Sequence, residues 1–192
     1  TEVQASNAGE VVDWEGGCPD WIELWNPGDE PFNATGWYLT DRRSKPGKWI
    51  IPELVLSPDE RVLVFASGLD FFDEEELHTN FCISKTGEFL HLVRPDKTTF
   101  EQTIAIGAEG ASHGVSYGPS EKDPQPLAYP TPLETNAPAA IGFTDQVTCS
   151  RASCLYETGF TITLACETPD AVIHYTTDGS VPEQHNSEVY QQ

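Results

Sequence analysis

Basic side chains are scarce in this chain of 192 residues, which has 10 lysine and arginine residues against 31 aspartate and glutamate residues. Its formal charge is −21 at pH 7. Because such a surface repels phosphate backbones and anionic lipid headgroups, the composition argues against nucleic acid as a direct partner. The same negative surface does not repel a neutral polymer or a cation in this way. The predicted partners are therefore other protein domains or extracellular polymers, with carbohydrate among them.

Long apolar runs and helical patterns are also missing. No stretch approaches the roughly 20 apolar residues that a membrane-spanning helix needs, so we predict no membrane insertion. Only residues 70–78, DFFDEEELH, suit a turn or two of helix. The sequence has no Gly-rich phosphate loop and no cysteine or histidine spacing typical of a zinc site, so we expect no cofactor.

What is present is a series of short strand-like runs, each bounded by Gly, Pro, Asp, Asn or Ser. They include TEVQAS, DWIELWN, GWYLTD, KWIIP, ERVLVFAS, EFLHLVRP, TTFEQTIAI and HGVSYG. The runs are too short and too close together for strand–helix–strand units. This spacing is typical of an all-β sandwich or barrel.

A proline-rich stretch divides the chain. Residues 118–138 hold six of the fifteen prolines and show no periodicity, which indicates an extended tail that passes into a linker. We therefore predict one domain over residues 1–137 and a second over 138–192. About 50 residues with three or four strands are too few for a self-sufficient sandwich, so we expect the second domain to be incomplete and the chain to belong to a longer protein.

Two features concern the cellular compartment. The chain has five cysteines, at positions 18, 82, 149, 154 and 166, and disulfides are the interpretation that we favour over buried thiols. A hairpin that turns at residues 157–159 would bring Cys149 close to Cys166, and Cys18 with Cys82 is a second candidate pair. Asn33 begins an Asn-Ala-Thr glycosylation sequon. Both features predict an extracellular or cell-surface location.

The run DWIELWN offers a candidate binding surface. In a strand, Ile22 and Leu24 share one face, and Trp21 and Trp25 share the other. If the aliphatic pair points inward, the two indoles stand outside as a platform for sugar rings. In the alternative interpretation, the acidic loop, the proline-rich tail or the next domain covers them. Trp37 and Trp49 are predicted to lie in the core.

Two further patterns suggest chemistry and have simpler explanations. Five carboxylates within seven residues could supply part of a calcium site, but most acidic runs are only solvated: Asp70, Asp73, Glu74, Glu75 and Glu76. The run GVSYG, residues 114–118, fits the nucleophile elbow of hydrolases. A proline-rich loop follows it where that motif requires a helix. We therefore predict that Ser116 is an ordinary strand residue.

The first domain resembles the lamin tail domain of secreted, multidomain bacterial proteins. The resemblance rests on QASN at 4–7, the run 20–41, LVFASG at 63–68, SKTGEFLHLV at 84–93 and HGVSYG at 113–118. It also includes PTPLETN at 130–136, where the family usually has smaller residues. It implies an immunoglobulin-like β-sandwich without catalytic residues, and hence a protein that is not an enzyme.

The second domain resembles the immunoglobulin-like C-terminal domain of chitobiases and hexosaminidases. This resemblance rests mostly on HYTTDGSVP at 174–182, which follows a strand. Together the two resemblances predict a non-catalytic extracellular module of a larger secreted or cell-surface protein, acting as a spacer, adhesion or protein-interaction unit. The alternative prediction is a carbohydrate-binding accessory module that uses exposed tryptophans.

Overall fold

A computed structural model describes residues 1–9, 11–73, 75–107, 114–119, 123–152, 155, 157–182 and 186–191. These residues form strands, turns and loops with no helix, which confirms the predicted all-β, immunoglobulin-like class. Accordingly, the described ranges offer no helical segment that could cross a membrane. The chain divides into two compact units, Thr1–Ile141 and Gly142–Gln192.

Unit 1 is built from short strands with the following bounds: β1 Val3–Gln4, β2 Trp21–Trp25, β3 Phe32–Asn33, β4 Tyr38–Thr40, β5 Trp49–Ile50, β6 Val55–Leu56, β7 Arg61–Phe65, β8 Phe71–Phe72, β9 Leu77–His78, β10 Phe89–Val93, β11 Phe100–Ala105, β12 Ser116–Gly118 and β13 Gln125–Pro126. One sheet has the order β13-β12-β1-β2-β7-β9-β8, and a second has the order β11-β10-β4-β5. Strands β3 and β6 form a separate pair.

The core lies between the two large sheets and is filled by alternate residues of their strands. In the seven-stranded sheet, Ile22 lies opposite Val64 and Leu24 lies opposite Val62. From the four-stranded sheet, Leu39 and Leu90 join the same apolar cluster, and Trp49 is 3% exposed, as predicted for a core residue. The period of two in the sequence therefore corresponds to side chains that alternate between this core and the outer faces.

The weak helical signal at residues 70–78 is wrong. Strands β8 and β9 pair antiparallel in that segment, with Phe71 opposite His78 and Phe72 opposite Leu77. The Asp73 carboxylate accepts hydrogen bonds from the backbone N–H groups of Glu75 and Glu76, which forms the tight turn. Strand β9 also pairs parallel with β7. The pairing of β9 with both β7 and β8 therefore outweighs the local helical preference of residues 70–78.

Unit 2 contains β14 Thr148–Cys149, β15 Leu164–Ala165, β16 His174–Tyr175 and β17 Glu188–Val189. They form two separate two-stranded sheets, β14 with β15 and β16 with β17. Among the described residues of this unit, Ile173 is the one buried apolar side chain, whereas Phe143, Phe160 and Val181 are exposed. The described part of unit 2 therefore buries little apolar surface, and its incompleteness stays a prediction.

The predicted disulfides are not formed, because Cys18, Cys82, Cys149 and Cys166 are free thiols. Cys149 lies opposite Leu164, so Cys166 is its diagonal neighbour at about 7–8 Å, beyond the usual reach of a disulfide. Residues 66 and 67, which follow β7, lie between Cys18 and Cys82, the second candidate pair. Ala66 N–H bonds to Asp20 on the side of Cys18, and Ser67 bridges Cys82 on the other side. Cys154 lies outside the described residues.

Candidate functional site

Trp21 is completely buried, so the predicted platform of Trp21 and Trp25 is wrong in its first member. The Trp21 indole N–H donates a hydrogen bond of 2.7 Å to Gln4 Oε1. Its neighbours across the outer face of the seven-stranded sheet are Gln4 on one side and Phe65 on the other. Because no part of the indole is exposed, a ligand in solvent cannot contact it.

The proline-rich tail covers this face, which was one of the alternatives left open by the sequence. We call residues 127–139 the strap. The Thr131 N–H and hydroxyl donate to the two carboxylate oxygens of Glu2 at 3.0 and 2.7 Å, and the Leu133 N–H donates to Glu23 Oε2 at 2.7 Å. Both glutamates are completely buried. The buried carboxylates of Glu2 and Glu23 thus accept hydrogen bonds from backbone N–H groups of the strap, which forms no strand pairing at residues 131–133.

Burial raises the pKa of Glu23, and the neighbouring Glu2 carboxylate acts in the same direction. Hydrogen bonds from Thr1 and Leu133 oppose this shift, because they stabilise the ionised form. The side chain of Arg61 approaches Glu23 with 3.9 Å between Nε and Oε1. The outer face beneath the strap therefore holds acidic groups that are largely satisfied within the fold.

The other tryptophan of the predicted pair, Trp25, remains partly accessible and borders a cavity of about 540 Å³ in unit 1. We call this cavity the aromatic cleft. The residues that define it here are Trp25, Phe32, Trp37, Arg61, Gln102 and Asn136. Such a volume lies within the range of small-molecule sites in proteins. The aromatic cleft is the candidate functional site.

The rings of the aromatic cleft are held in place by the protein. The Trp25 indole N–H donates to Asp59 Oδ1 at 2.9 Å, and the Arg61 guanidinium lies 4.6 Å from the centre of the indole ring. Phe32 contacts Trp37 edge to face, with 5.3 Å between ring centroids and an interplanar angle of 70°. These contacts fix the orientation of the rings that line the cleft.

The charged groups of the cleft are neutralised within the protein. Arg61 Nη1 lies 3.3 Å from Asp59 Oδ1, and Arg94 pairs with the Glu101 carboxylate that borders the cleft. The hydrogen bond from Arg94 lowers the pKa of Glu101. Arg61 Nε is buried and has no hydrogen-bond partner among the described residues. This atom lies 3.9 Å from the buried Glu23 carboxylate, so it belongs to the interior and is not open to a ligand in the cleft.

The sequence indicated Trp25 and missed the rest of the cleft. Trp37, which was expected in the core, packs against the core cluster but is only half-buried and also borders the cleft. Phe32, Arg61 and Gln102 come from strands that are distant in sequence, so no local motif links them. Phe32 was the one local signal of the cleft. It is a single aromatic residue in the polar run DEPFNAT and lacks the alternating apolar neighbours of a core strand.

A second cavity, of about 470 Å³, lies over the outer face of the four-stranded sheet. His91 forms its floor, is 4% exposed and is hydrogen-bonded through Nδ1 to Thr103 Oγ1 at 2.8 Å. Burial lowers the pKa of His91, and the charge of Arg43 acts in the same direction. His91 is therefore a packed strand residue, and both effects favour its neutral form.

Glu88 borders the same cavity, and burial raises its pKa, with the charge of Asp41 in the same direction. Since the folded state binds this proton more tightly, the Glu88 contribution favours folding at low pH and is lost as the pH rises through the folded-state pKa. We expect Glu88→Gln to gain stability relative to wild type between about pH 4 and about pH 7. Urea unfolding at both pH values measures this difference.

Glu53→Gln is the matched control, because it removes the same charge from an exposed position. The prediction fails if Glu88→Gln changes the free energy of unfolding equally at both pH values. Glutamine retains an acceptor for the Ser84 N–H, which donates to the Glu88 carboxylate in wild type. The comparison therefore isolates the charge.

Ser116, the serine of the GVSYG run, lies in β12 and is completely buried. Its register partner is Gln4, and its hydroxyl has no hydrogen-bond partner among the described residues. Positive φ occurs at Gly114 and not at the serine, so the strained bend of a nucleophile elbow is missing at this position. The prediction that Ser116 is an ordinary strand residue is confirmed.

A serine–histidine–carboxylate series that the sequence did not reveal joins the β8–β9 hairpin to β7. His78 Nδ1 lies 2.9 Å from Ser67 Oγ, and Nε2 lies 2.9 Å from Glu76 Oε2. The imidazole is completely buried and is stacked on Phe65 at 5.1 Å. Because no ring atom is accessible, this series fixes the hairpin and cannot meet a substrate.

The acidic run shows no coordination set in the described part of the chain, where no three His, Cys, Asp or Glu side chains converge. The Asp73 carboxylate accepts hydrogen bonds from the backbone N–H groups of Glu76 and Glu75. These bonds hold the turn, and they lower the pKa of Asp73. Asp70 and Glu75 are exposed, Glu76 bonds to His78, and Glu74 lies outside the described residues. Calcium binding stays a prediction without a defined site.

The glycosylation sequon lies on the surface. Asn33 is exposed in β3, and its Oδ1 accepts the Thr35 N–H at 2.9 Å. In unit 2, Asp178 Oδ1 accepts the Ser180 N–H and hydroxyl, and these bonds lower the pKa of Asp178. Asp178 is therefore a turn residue, and glycosylation of Asn33 stays a prediction.

Comparison with known proteins supports one of the two resemblances. The model of the chitobiase/beta-hexosaminidase C-terminal domain family matches residues 152–192. This range includes the TTDGS turn and confirms the resemblance predicted for the second unit. No curated protein and no solved structure matches the chain.

Proposed function

We propose that this chain, whose residues 152–192 match the chitobiase/beta-hexosaminidase C-terminal domain family, is a non-catalytic accessory module of a larger extracellular protein. Its role is that of a spacer, adhesion or protein-interaction unit. Unit 1 is a lamin-tail-type sandwich in this proposal, on the strength of the sequence runs that resemble that family. A stable sandwich would present loops and clefts as contact surfaces on a rigid frame.

The observation that carries the proposal is the burial of the serine of the GVSYG run and of the two histidines whose rings are hydrogen-bonded to hydroxyl groups in unit 1. Ser116 and His78 are completely buried, and His91 is 4% exposed. In contrast, the aromatic cleft is open and ordered, but its charged groups are already paired. Such an arrangement suits contact with a partner better than bond breaking, which requires a reactive group at the site.

Turnover and adhesion assays test this proposal with the complete chain. We expect no hydrolysis of chromogenic ester, glycoside or phosphate substrates above the rate with the heat-unfolded chain. Beads that carry the folded chain should adhere to immobilised extracellular polymers more strongly than beads that carry the unfolded chain. Turnover that Ser67→Ala or Ser116→Ala abolishes would overturn the non-catalytic role, and equal adhesion of both bead types would overturn the contact role.

A further inference from the structure

Three aromatic rings converge on one concave site in unit 1. Trp25 is 36% exposed and Phe32 is 39% exposed, and both border the aromatic cleft with Trp37. Single exposed apolar side chains are normal on protein surfaces, but exposed rings that share an ordered cleft indicate a binding site. One face of the Trp25 indole is covered by Arg61, and the rings offer apolar surface to a ligand with a flat, C–H-rich face.

The charge of the cleft and of the chain selects a neutral ligand. Arg61 is compensated by Asp59 and lies near Glu23, and Glu101 is compensated by Arg94. A charged ligand would therefore gain no unpaired counter-ion and would lose hydration on entry. The formal charge of −21 also repels polyanions such as acidic polysaccharides and nucleic acids.

The polar groups of the cleft require a ligand that both donates and accepts hydrogen bonds. The Arg61 side chain is only 11% exposed and its Nε is buried beside Glu23, so the polar contacts of a ligand fall to other side chains. The amides of Gln102 and Asn136 also border the cleft, as does the acceptor carboxylate of Glu101. A purely apolar ligand would bury these groups without partners, which is costly. Hydroxyl groups on a ring satisfy donors and acceptors together.

We propose that the aromatic cleft binds a neutral saccharide through ring stacking on Trp25, Phe32 and Trp37 and through hydrogen bonding to Gln102. This inference rests on the non-catalytic role proposed above and names the ligand of that module. A proline-rich peptide also packs on aromatic rings, but proline lacks an N–H group and would offer no donor to the amide oxygen of Gln102. The saccharide therefore fits the cleft better.

Calorimetric titration of the complete chain with defined probes tests the proposal. The probes are neutral hexasaccharides of glucose, N-acetylglucosamine, xylose and mannose, an acidic galacturonate hexasaccharide and a proline-rich decapeptide. We expect at least one neutral hexasaccharide to bind. Trp25→Ala and Trp37→Ala should each weaken its binding about tenfold, since a ring contact of this kind is worth roughly a factor of ten in affinity.

Trp14→Ala is the matched control, because Trp14 is 63% exposed and lies outside the aromatic cleft. It should leave affinity unchanged. Gln102→Ala and Phe32→Ala supply variants that retain Trp25 and Trp37, in case either of those replacements prevents folding, and both should also weaken binding. The inference is overturned if no neutral hexasaccharide binds, if the acidic probe or the peptide binds more tightly, or if Trp14→Ala weakens binding as much as the cleft variants.

Analysis of the saccharide after titration separates this inference from the proposed function. Binding of an intact saccharide supports both. Absence of binding, with adhesion of the folded chain intact, overturns the saccharide inference and leaves the accessory role in place. Release of shortened products, lost in a single-residue variant, would instead overturn the non-catalytic role.

Discussion

Replacing Trp21 by alanine is expected to lower the free energy of unfolding of unit 1 by about 3–5 kcal/mol. The whole indole is buried, and its N–H is bonded to Gln4, so the change creates a large cavity and leaves the Gln4 oxygen without its donor. Urea unfolding followed by tryptophan fluorescence measures this loss. All five tryptophans lie in unit 1, so the signal reports that unit alone.

Trp14→Ala serves again as the control, because it removes the same side chain from an exposed position. Its effect should stay within about 0.5 kcal/mol of wild type. An unfolding midpoint for Trp21→Ala equal to that of Trp14→Ala would contradict the buried position of Trp21. It would also restore Trp21 as a surface residue and the original two-indole platform with it.

The second large effect is expected at the buried carboxylates beneath the strap. Glu2→Ala should lower the free energy of unfolding by about 2–3 kcal/mol, because Thr131 would lose the acceptors of its N–H and its hydroxyl in a buried site. Opening of the strap should then become easier than global unfolding. Denaturant unfolding gives the global loss, and limited proteolysis reports the strap itself.

A glutamate-specific endopeptidase provides the local measurement, because Glu134 is an exposed residue of the strap. We expect cleavage after Glu134 to accelerate at least about tenfold in Glu2→Ala, in proportion to the larger open fraction. Glu30→Ala, which removes an exposed carboxylate, is the control and should not change this rate. Equal cleavage rates in both variants would show that Glu2 does not hold the strap.

The fold was predictable because its dominant signal is local. The alternation of Ile22 and Leu24 with polar or aromatic residues gave both the strand and the face that meets the core. The segment 70–78 was mispredicted because its pairing with β7 is a tertiary contact, invisible to a local pattern. The cysteine pairing failed for a related reason, since a shift of two residues in register moved Cys149 opposite Leu164.

The candidate site was predictable only in part. Alternation correctly separated Trp21 and Trp25 from the core-facing residues, but it does not distinguish an outer face covered by another segment from one that is open to solvent. The strap binds the outer face that includes Trp21 through bonds to Glu2 and Glu23, which lie more than 100 residues before it in the sequence. Likewise, Arg61 and Gln102 join Trp25 through the stacking of two sheets. Such long-range packing leaves no mark in a short run of sequence.

The contact between Thr131 and Glu2 has a consequence for synthesis of the chain, because it joins residues 129 positions apart. Strand β1 likewise pairs with β12, at the far end of unit 1. A ribosome makes β2 soon after β1, so these two strands can pair early, but the other edge of β1 must wait until β12 is translated. The seven-stranded sheet of unit 1 is therefore completed late, by contacts of long sequence separation.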